Sequence, residues 1–247
     1  IGSNAKASGE NSSAIGSFAR ATSENSTAVG HLANAVGNNS LAFGALASTA
    51  DFNAIAIGTD AGAISTNTTA IGACSRAAAD KAVAIGSKSY AADKNTIAIG
   101  TCAIASGVNS ISIGSGAKAN GEYSFSAGYG ANATGTNSSA IGLNASANGT
   151  DAQAFGRDSL ASGTDSFAGG VDAKAYGRNS FAFGRNARAL GADAFAFGDG
   201  ARATSLASNS ATFGTDANVG APCSMAFGMG SRVLGGANST ASGTNAT

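Results

Sequence analysis

Apolar and polar residues alternate along this chain in short runs that recur with a period of fourteen residues. Glycine marks the period without a break from Gly2 through Gly16 and Gly30 to Gly198. Each unit holds an Ala-x-Ala run and a second run that ends in Ala-Ile or Ala-Phe, separated by segments rich in Gly, Asn and Asp. Such alternation predicts two short strands per unit, joined by tight corners. A fixed short period indicates stacked copies of one unit, so the sequence predicts an all-β solenoid, or β-roll, with 14-residue coils.

Alternation also sorts the side chains between two faces, because successive residues of a strand point to opposite sides. In one representative unit, the inward set is Ala131 and Ala133 on the first strand and Ser138 and Ala140 on the second. The same places hold Ala, Ser or Thr in nearly every unit. The sequence therefore predicts a narrow interior filled by small side chains.

The outer face of the second strand carries the large apolar residues. Stacked over many coils, they form a ribbon larger than a soluble single chain normally exposes. Full burial of two such residues contributes very roughly 3 to 6 kcal/mol per coil per chain, so the pattern predicts a closed symmetric oligomer. Three subunits suit a central apolar channel, and two or four are also compatible. The predicted subunit interface consists of Ile15, Val29, Ile55, Ile57, Ile71, Val83, Ile85, Ile97, Ile99, Ile111, Ile113, Ile141, Phe155, Phe181, Phe183, Phe195 and Phe197.

The charged residues balance over the whole chain and cluster only locally. Fourteen basic and fourteen acidic residues cancel, so we expect no nucleic acid and no anionic membrane surface as a partner. Eight of the basic residues nevertheless fall at the variable middle position of the Ala-x-Ala run, or of its variants in two coils, where no acid occurs. We interpret this column as solvent-facing and as the candidate partner-binding surface. It consists of Lys6, Arg20, Arg76, Lys118, Lys174, Arg188, Arg202 and Arg232.

No pattern of catalytic or metal-binding residues stands out. The one histidine, His31, follows a phase glycine at a corner, and Cys74, Cys102 and Cys223 lack metal-ligand spacing. The Gly-x-Gly segments, such as 114-116, are not followed by Gly-Lys-Ser/Thr, and the repeat places glycine there anyway. The segment 169-172 resembles a calcium-binding β-roll repeat only once. We therefore expect no enzymatic activity, cofactor or metal.

The period breaks near the end of the chain, where Gly198 and Gly214 are sixteen residues apart. The sequence predicts regular 14-residue repeats over 1-198 and irregular final coils over 199-247. No apolar run is long enough to cross a membrane as a helix. The chain begins within a repeat, so we expect any membrane anchor to lie outside this segment.

One hexapeptide recurs at the end of unit after unit. Its copies are 11-16 NSSAIG, 25-30 NSTAVG, 39-44 NSLAFG, 67-72 NTTAIG, 95-100 NTIAIG, 109-114 NSISIG, 137-142 NSSAIG and 179-184 NSFAFG. This repeat resembles the head of trimeric autotransporter adhesins, the YadA-like family of Gram-negative surface proteins. The resemblance implies a left-handed parallel β-roll, a homotrimer, and a head displayed at the outer membrane and exposed extracellularly. Residues 199-247 then correspond to the end of the head or its junction to a neck.

The resemblance also implies a function, namely attachment to host extracellular-matrix proteins such as collagen, fibronectin or laminin, or to a cell-surface receptor. A structural spacer that projects other adhesive domains is an alternative with the same sequence pattern. An ice- or surface-binding β-solenoid is a third hypothesis. The outward column disfavours it, since Ile104 and Leu160 stand among Lys, Arg and Asn, and the column is too uneven to match a lattice.

Overall fold

The computed structural model describes all 247 residues of the chain. The chain divides into an N-terminal unit, Ile1–Tyr123, and a C-terminal unit, Ser124–Thr247. Each unit has its own interior of buried alanines. Both units consist of strands and turns, and neither contains a helix.

Short and long strands alternate along the N-terminal unit, which has nine short and eight long strands. The short strands are β1 (Lys6–Ala7), β3 (Arg20–Ala21), β5 (Asn34–Ala35), β7 (Ser48–Thr49), β9 (Gly62–Ala63), β11 (Arg76–Ala77), β13 (Tyr90–Ala91), β15 (Ile104–Ala105) and β17 (Lys118–Ala119). The long strands are β2 (Ser13–Ile15), β4 (Thr27–Val29), β6 (Leu41–Phe43), β8 (Ile55–Ile57), β10 (Thr69–Ile71), β12 (Val83–Ile85), β14 (Ile97–Ile99) and β16 (Ile111–Ile113).

The C-terminal unit repeats this arrangement. Its short strands are β19 (Asn132–Ala133), β21 (Ser146–Ala147), β23 (Leu160–Ala161), β25 (Lys174–Ala175), β27 (Arg188–Ala189), β29 (Arg202–Ala203), β31 (Asn218–Val219) and β33 (Arg232–Val233). Its long strands are β18 (Phe125–Ala127), β20 (Ser139–Ile141), β22 (Gln153–Phe155), β24 (Phe167–Gly169), β26 (Phe181–Phe183), β28 (Phe195–Phe197), β30 (Ala211–Phe213), β32 (Met225–Phe227) and β34 (Thr240–Ser242).

Within each unit, a strand pairs in parallel with the strand of the same kind one coil later. In the N-terminal unit the partner is fourteen residues away, as in the pair of Ile97 with Ile111. Short strands therefore form one sheet and long strands another. The prediction of an all-β parallel solenoid with coils of about fourteen residues is confirmed for each unit.

Two coils of the C-terminal unit are longer. Phe195 pairs with Ala211, sixteen residues on, and Met225 pairs with Thr240, fifteen residues on. The additional residues lie in the turns between β29 and β30 and between β33 and β34. These turns absorb the insertions, so the strands beyond them keep their register with the preceding coil.

The interior holds small side chains. The middle residue of a long strand and the second residue of a short strand point inward, and both are almost always a fully buried alanine, as at Ala98 and Ala105. The largest fully buried side chain is Val219. Because the two sheets face each other across alanine methyl groups, the interior is narrow, as the alternation predicted.

The corners explain the recurrent Asn and Gly. At each corner a residue adopts the left-handed conformation, which Asn, Asp and Gly reach at low cost; Asn53 and Asn67 have φ values of 54° and 56°. The phase glycine is needed for a second reason. At Gly58, with φ +132°, an added Cβ would lie 2.6 Å from the backbone carbonyl carbon of Gly72 in the next coil.

Candidate functional site

The outer face of the long strands carries a continuous apolar column in the N-terminal unit. The first and third residues of each long strand point outward while the middle residue is buried, so Ile97 and Ile99 flank the buried Ala98. Ile97 pairs with Val83 in the previous coil and with Ile111 in the next. The single chain therefore leaves stacked aliphatic side chains half-covered.

The corresponding column of the C-terminal unit is aromatic. The rings of Phe181 and Phe195 stack with centroids 4.6 Å apart and an interplanar angle of 3°. Phe183 and Phe197 stack beside them at 5.2 Å. The column is interrupted at Gly169, where an added Cβ would lie 2.5 Å from Cε1 of Phe167. The ring of Phe167 thus covers the place that an outward side chain fills in other coils.

Every residue predicted to form the subunit interface lies on this outer face of a long strand. Those half-buried in the single chain are Val29, Ile55, Ile57, Ile71, Val83, Ile85, Ile97, Ile111, Phe155, Phe181 and Phe195. Those that remain exposed are Ile15, Ile99, Ile113, Ile141, Phe183 and Phe197. The structure brings them together in one column per unit, and their role between subunits stays a prediction.

The predicted basic column lies on the outer face of the short strands. Lys174, Arg188 and Arg202 stand in register on the adjacent strands β25, β27 and β29. Lys6 and Arg20 form a second adjacent pair. The other members are separated by uncharged neighbours in the column: Arg76 lies between Gly62 and Tyr90, Lys118 follows Ile104, and Arg232 follows Asn218.

Few acids neutralise the run of three basic residues. The nearest ion pair joins Lys174 Nζ to Asp172 at 3.8 Å. Arg185 instead pairs with Asp199 one coil away, and its hydrogen bond lowers the pKa of that exposed carboxyl. Like charges on adjacent strands oppose the folded state, so this arrangement is not explained by stability. It leaves three cationic side chains in a row on this face.

Side-chain amides form ladders along one corner. Asn53 Nδ2 donates to Asn67 Oδ1 at 3.1 Å, one coil away. In the C-terminal unit Asn137 Nδ2 donates to Asp151 Oδ1 at 2.7 Å. These amides donate to the Asn or Asp of the next coil and stabilise the corner, so the structural interpretation of the recurrent Asn is sufficient at these positions.

The remaining chemistry-bearing residues are scattered. Cys74, Cys102 and Cys223 are free and exposed. His31 contacts the ring of Phe18 edge-on, with centroids 6.4 Å apart. The final glycine of the first Gly-x-Gly segment, Gly116, occupies a left-handed corner with φ +68°. No three His, Cys, Asp or Glu side chains are grouped so that they could hold a metal ion.

A family model described as the YadA head domain repeat matches this chain repeatedly between residues 1 and 201. The matched segments are 1–19, 21–47, 52–73, 77–101, 105–131, 125–145, 133–159, 147–173, 161–187 and 175–201. The chain belongs to the YadA head-repeat family. Its phase glycines, inward alanines and corner asparagines are thus features of a YadA-type head.

Among solved structures, the collagen-binding domain of the Yersinia adhesin YadA is similar to this YadA-type head, with 23% sequence identity and a TM-score of 0.25. The match covers 71% of this chain and 65% of that chain, so the chain spans less than two thirds of the length of that relative. No curated protein matches the chain.

Membership of the YadA head-repeat family supports an adhesin-type role. No helix capable of crossing a membrane is present. Sequence reasoning missed one surface of this head. Phe18, Leu32 and Leu46 are large apolar residues, and all three are exposed, although the sequence analysis gave them no role. The signal was available, since Phe18, Leu32 and Leu46 recur fourteen residues apart at the same place in the repeat.

Proposed function

We propose that this chain is the head of a non-enzymatic, homotrimeric surface adhesin, displayed outside a Gram-negative cell by an anchor beyond this segment. The observation that carries the proposal is the apolar column on the long strands. A run of Ile, Val and Phe side chains on successive coils is covered in the single chain only by its own neighbours within the column. An exposed apolar surface of this length is characteristic of a subunit interface.

The energetics favour assembly. Because the column residues are already about half-covered, association gains roughly half of the 1.5 to 3 kcal/mol that full burial of each contributes. The same two positions repeat in coil after coil, so the total grows with the number of coils. A closed trimer of left-handed rolls, with the columns facing a common axis, buries them all equivalently. Residues 1-198 form the regular part of this head, and 199-247 form its irregular final coils.

The basic column is the proposed contact surface for the partner. In such a trimer the long strands face inward, which leaves the outer face of the short strands free. Lys174, Arg188 and Arg202 present three charges on three adjacent strands, about 4.8 Å apart. Repeated modest contacts gain strength through multivalency when the partner is itself repetitive. A matrix protein such as collagen, fibronectin or laminin, or a cell-surface receptor, is the partner class that the family suggests.

Charge reversal tests this assignment. The variant Lys174→Glu/Arg188→Glu/Arg202→Glu is compared with Arg157→Glu/Arg178→Glu/Arg185→Glu, which changes the net charge equally in the same unit but outside the column. We expect the first variant to remain trimeric and to bind immobilised matrix proteins roughly tenfold less tightly or worse, with the control close to the parent chain. Equal loss in both variants would contradict a specific column. Absence of binding by the parent chain would favour a spacer.

A further inference from the structure

Three successive coils of the N-terminal unit place a large apolar residue at an exposed corner on the outer face of the short strands. These residues, Phe18, Leu32 and Leu46, are 46%, 43% and 49% exposed. Leu46 lines one recess together with Ser48, Gly62 and Arg76, the outward residues of three adjacent short strands, so it lies on the face of the basic column. Phe18 and Leu32 hold the equivalent position in the two preceding coils. We call this set the corner ridge. It is separate from the apolar column on the long strands.

Folding does not account for the corner ridge. Its members are left-handed, with φ values of 60°, 57° and 62°, a conformation that costs a large side chain roughly 1–2 kcal/mol. At the same corner other coils use residues that adopt this conformation more easily, such as Asp60 and Asn144. Residues that are both unfavourable in backbone conformation and exposed are characteristic of functional surfaces.

A recess adjoins the last member of the corner ridge. It has a volume of about 250 Å³ and opens beside Gly62, the outward residue of β9. Gly62 is the only glycine among the outward residues of the short strands. The backbone does not require it, because an added Cβ would meet only Ile64 Cγ2, at 3.9 Å. Since glycine weakens a strand without a packing reason, its effect here is to leave the recess open.

The lining of the recess defines what fits into it. Leu46 and Ile64 supply apolar walls, and Asp60, Arg76 and the thiol-bearing Cys74 are among the other lining residues. Asp60 and Arg76 carry opposite charges, so the recess has no net charge that would select a cationic or an anionic side chain. An uncharged ring with a polar end satisfies both, because a guanidinium attracts an aromatic face and a carboxylate accepts a hydroxyl hydrogen. The volume is below the usual range for drug-sized ligands and suits one side chain.

We propose that the recess at Gly62 is a pocket for an uncharged aromatic side chain, tyrosine above all, of a partner protein docked along the corner ridge. Tyrosine anchors in small pockets are typical of binding hot spots. This proposal does not require the basic column to be the matrix contact, since Arg76 alone belongs to both surfaces.

The chain carries its own reporter for occupancy. Cys74 lines the recess, whereas Cys102 occupies the same corner position two coils later, with the same φ of 56°, and does not. Alkylation rates of both thiols are measured on the full assembled chain with N-acetyl-tyrosinamide as the probe. We expect the probe to bind with a dissociation constant in the millimolar range. At a probe concentration ten times that constant, Cys74 alkylation should slow about tenfold and Cys102 alkylation should stay unchanged.

Two variants and two further probes complete the experiment. Gly62→Trp fills the recess and should abolish the probe's effect, whereas Gly62→Ala should retain it. The amides of N-acetylarginine and N-acetylglutamate should protect Cys74 several-fold less than the tyrosine probe. Equal protection by a charged probe, equal slowing at Cys102, or no slowing at all would overturn the proposal. So would a parent chain whose Cys74 reacts only after the trimer is dissociated, because a neighbouring subunit would then occupy the recess.

Discussion

The two units use one backbone plan with different apolar columns. In the N-terminal unit the outward positions of the long strands are mainly Ile and Val, as at Val83 and Ile97. In the C-terminal unit they are largely Phe, and the rings of Phe167, Phe181 and Phe195 stack at 4.6 Å. The inward positions do not differ in this way, since both interiors are built from alanine with occasional Ser and Thr.

This difference separates two kinds of constraint on the repeat. An inward residue must fit a narrow space between two sheets of the same chain, so its volume is fixed by the fold. An outward residue on a long strand has neighbours only above and below in the column, so its volume can change if the whole column changes with it. Stacked rings, at close to the spacing of adjacent strands, show that the aromatic column is self-consistent.

The largest expected effect comes from placing charges in either column. Ile97→Asp/Ile99→Asp should prevent trimer assembly, because it loses roughly 1.5 to 3 kcal/mol of apolar burial on association per chain and introduces unpaired carboxylates. Phe195→Asp/Phe197→Asp should cost more, since each lost ring contact adds about 0.5–1.5 kcal/mol. Sedimentation and thermal unfolding measure both effects.

The chain offers a matched control at Gln153, which occupies an outward position of a long strand but is already polar and exposed. Gln153→Asp should leave assembly nearly intact. A soluble, folded monomer from the Ile97/Ile99 variant, with the stability of the parent chain, would show that the column is not a subunit interface and would remove the basis of the proposed trimer.

A smaller effect is expected where the aromatic column is interrupted. Gly169→Ala places a Cβ 2.5 Å from Cε1 of Phe167 and 2.8 Å from Cδ2 of Phe183. The Phe167 ring must move and lose its stacking on Phe181, at a cost of about 1–3 kcal/mol. Gly62→Ala is the control, because its Cβ meets only an ordinary contact at 3.9 Å. Thermal unfolding should separate the two variants by several degrees.

A double-variant cycle sharpens the same comparison. Gly169→Ile with Phe167→Ile recreates the aliphatic pattern of the N-terminal unit inside the C-terminal one. Because the small Gly169 and the large Phe167 compensate each other, the double variant should be more stable than the sum of the two single changes indicates. Additive effects would show that the ring and the glycine are independent.

What the sequence predicted follows from the period. Phase glycines, inward alanines and the outward column at Ile97 and Ile99 are fixed by spacing within one coil, and the structure places each as expected. The recess at Gly62 could not be recognised in the same way. Its walls come from Leu46 and Arg76 in neighbouring coils, and a glycine in a glycine-rich repeat attracts no notice until its Cβ environment is known.

The conformation of the Phe167 ring is a second feature that the sequence could not predict. The segment at Gly169 was interpreted only as a faint resemblance to a calcium-binding repeat, and its glycine is explained by the Phe167 ring that lies over it. Alternation gives the face of a side chain but not its rotamer. The repeat period also does not predict the number of subunits. An apolar column indicates that it needs to be covered, but it does not indicate how many copies of the chain cover it.

The smallest expected effect concerns the corner ladder, which the two units also build differently. In the N-terminal unit Lys81, with φ 59°, stands between Asn67 and Asn95 and interrupts the run of asparagines. In the C-terminal unit the same corner holds only Asn or Asp from Asn137 to Asn209.

We expect Lys81→Asn to stabilise the N-terminal unit by about 1 kcal/mol, since asparagine tolerates the left-handed conformation and its amide can bond along the ladder. Thermal unfolding measures the gain against Lys81→Ala, which removes the charge without supplying an amide and should bring no gain. Equal stabilisation by both variants would assign the effect to the lost charge, and the ladder would then contribute nothing at this corner.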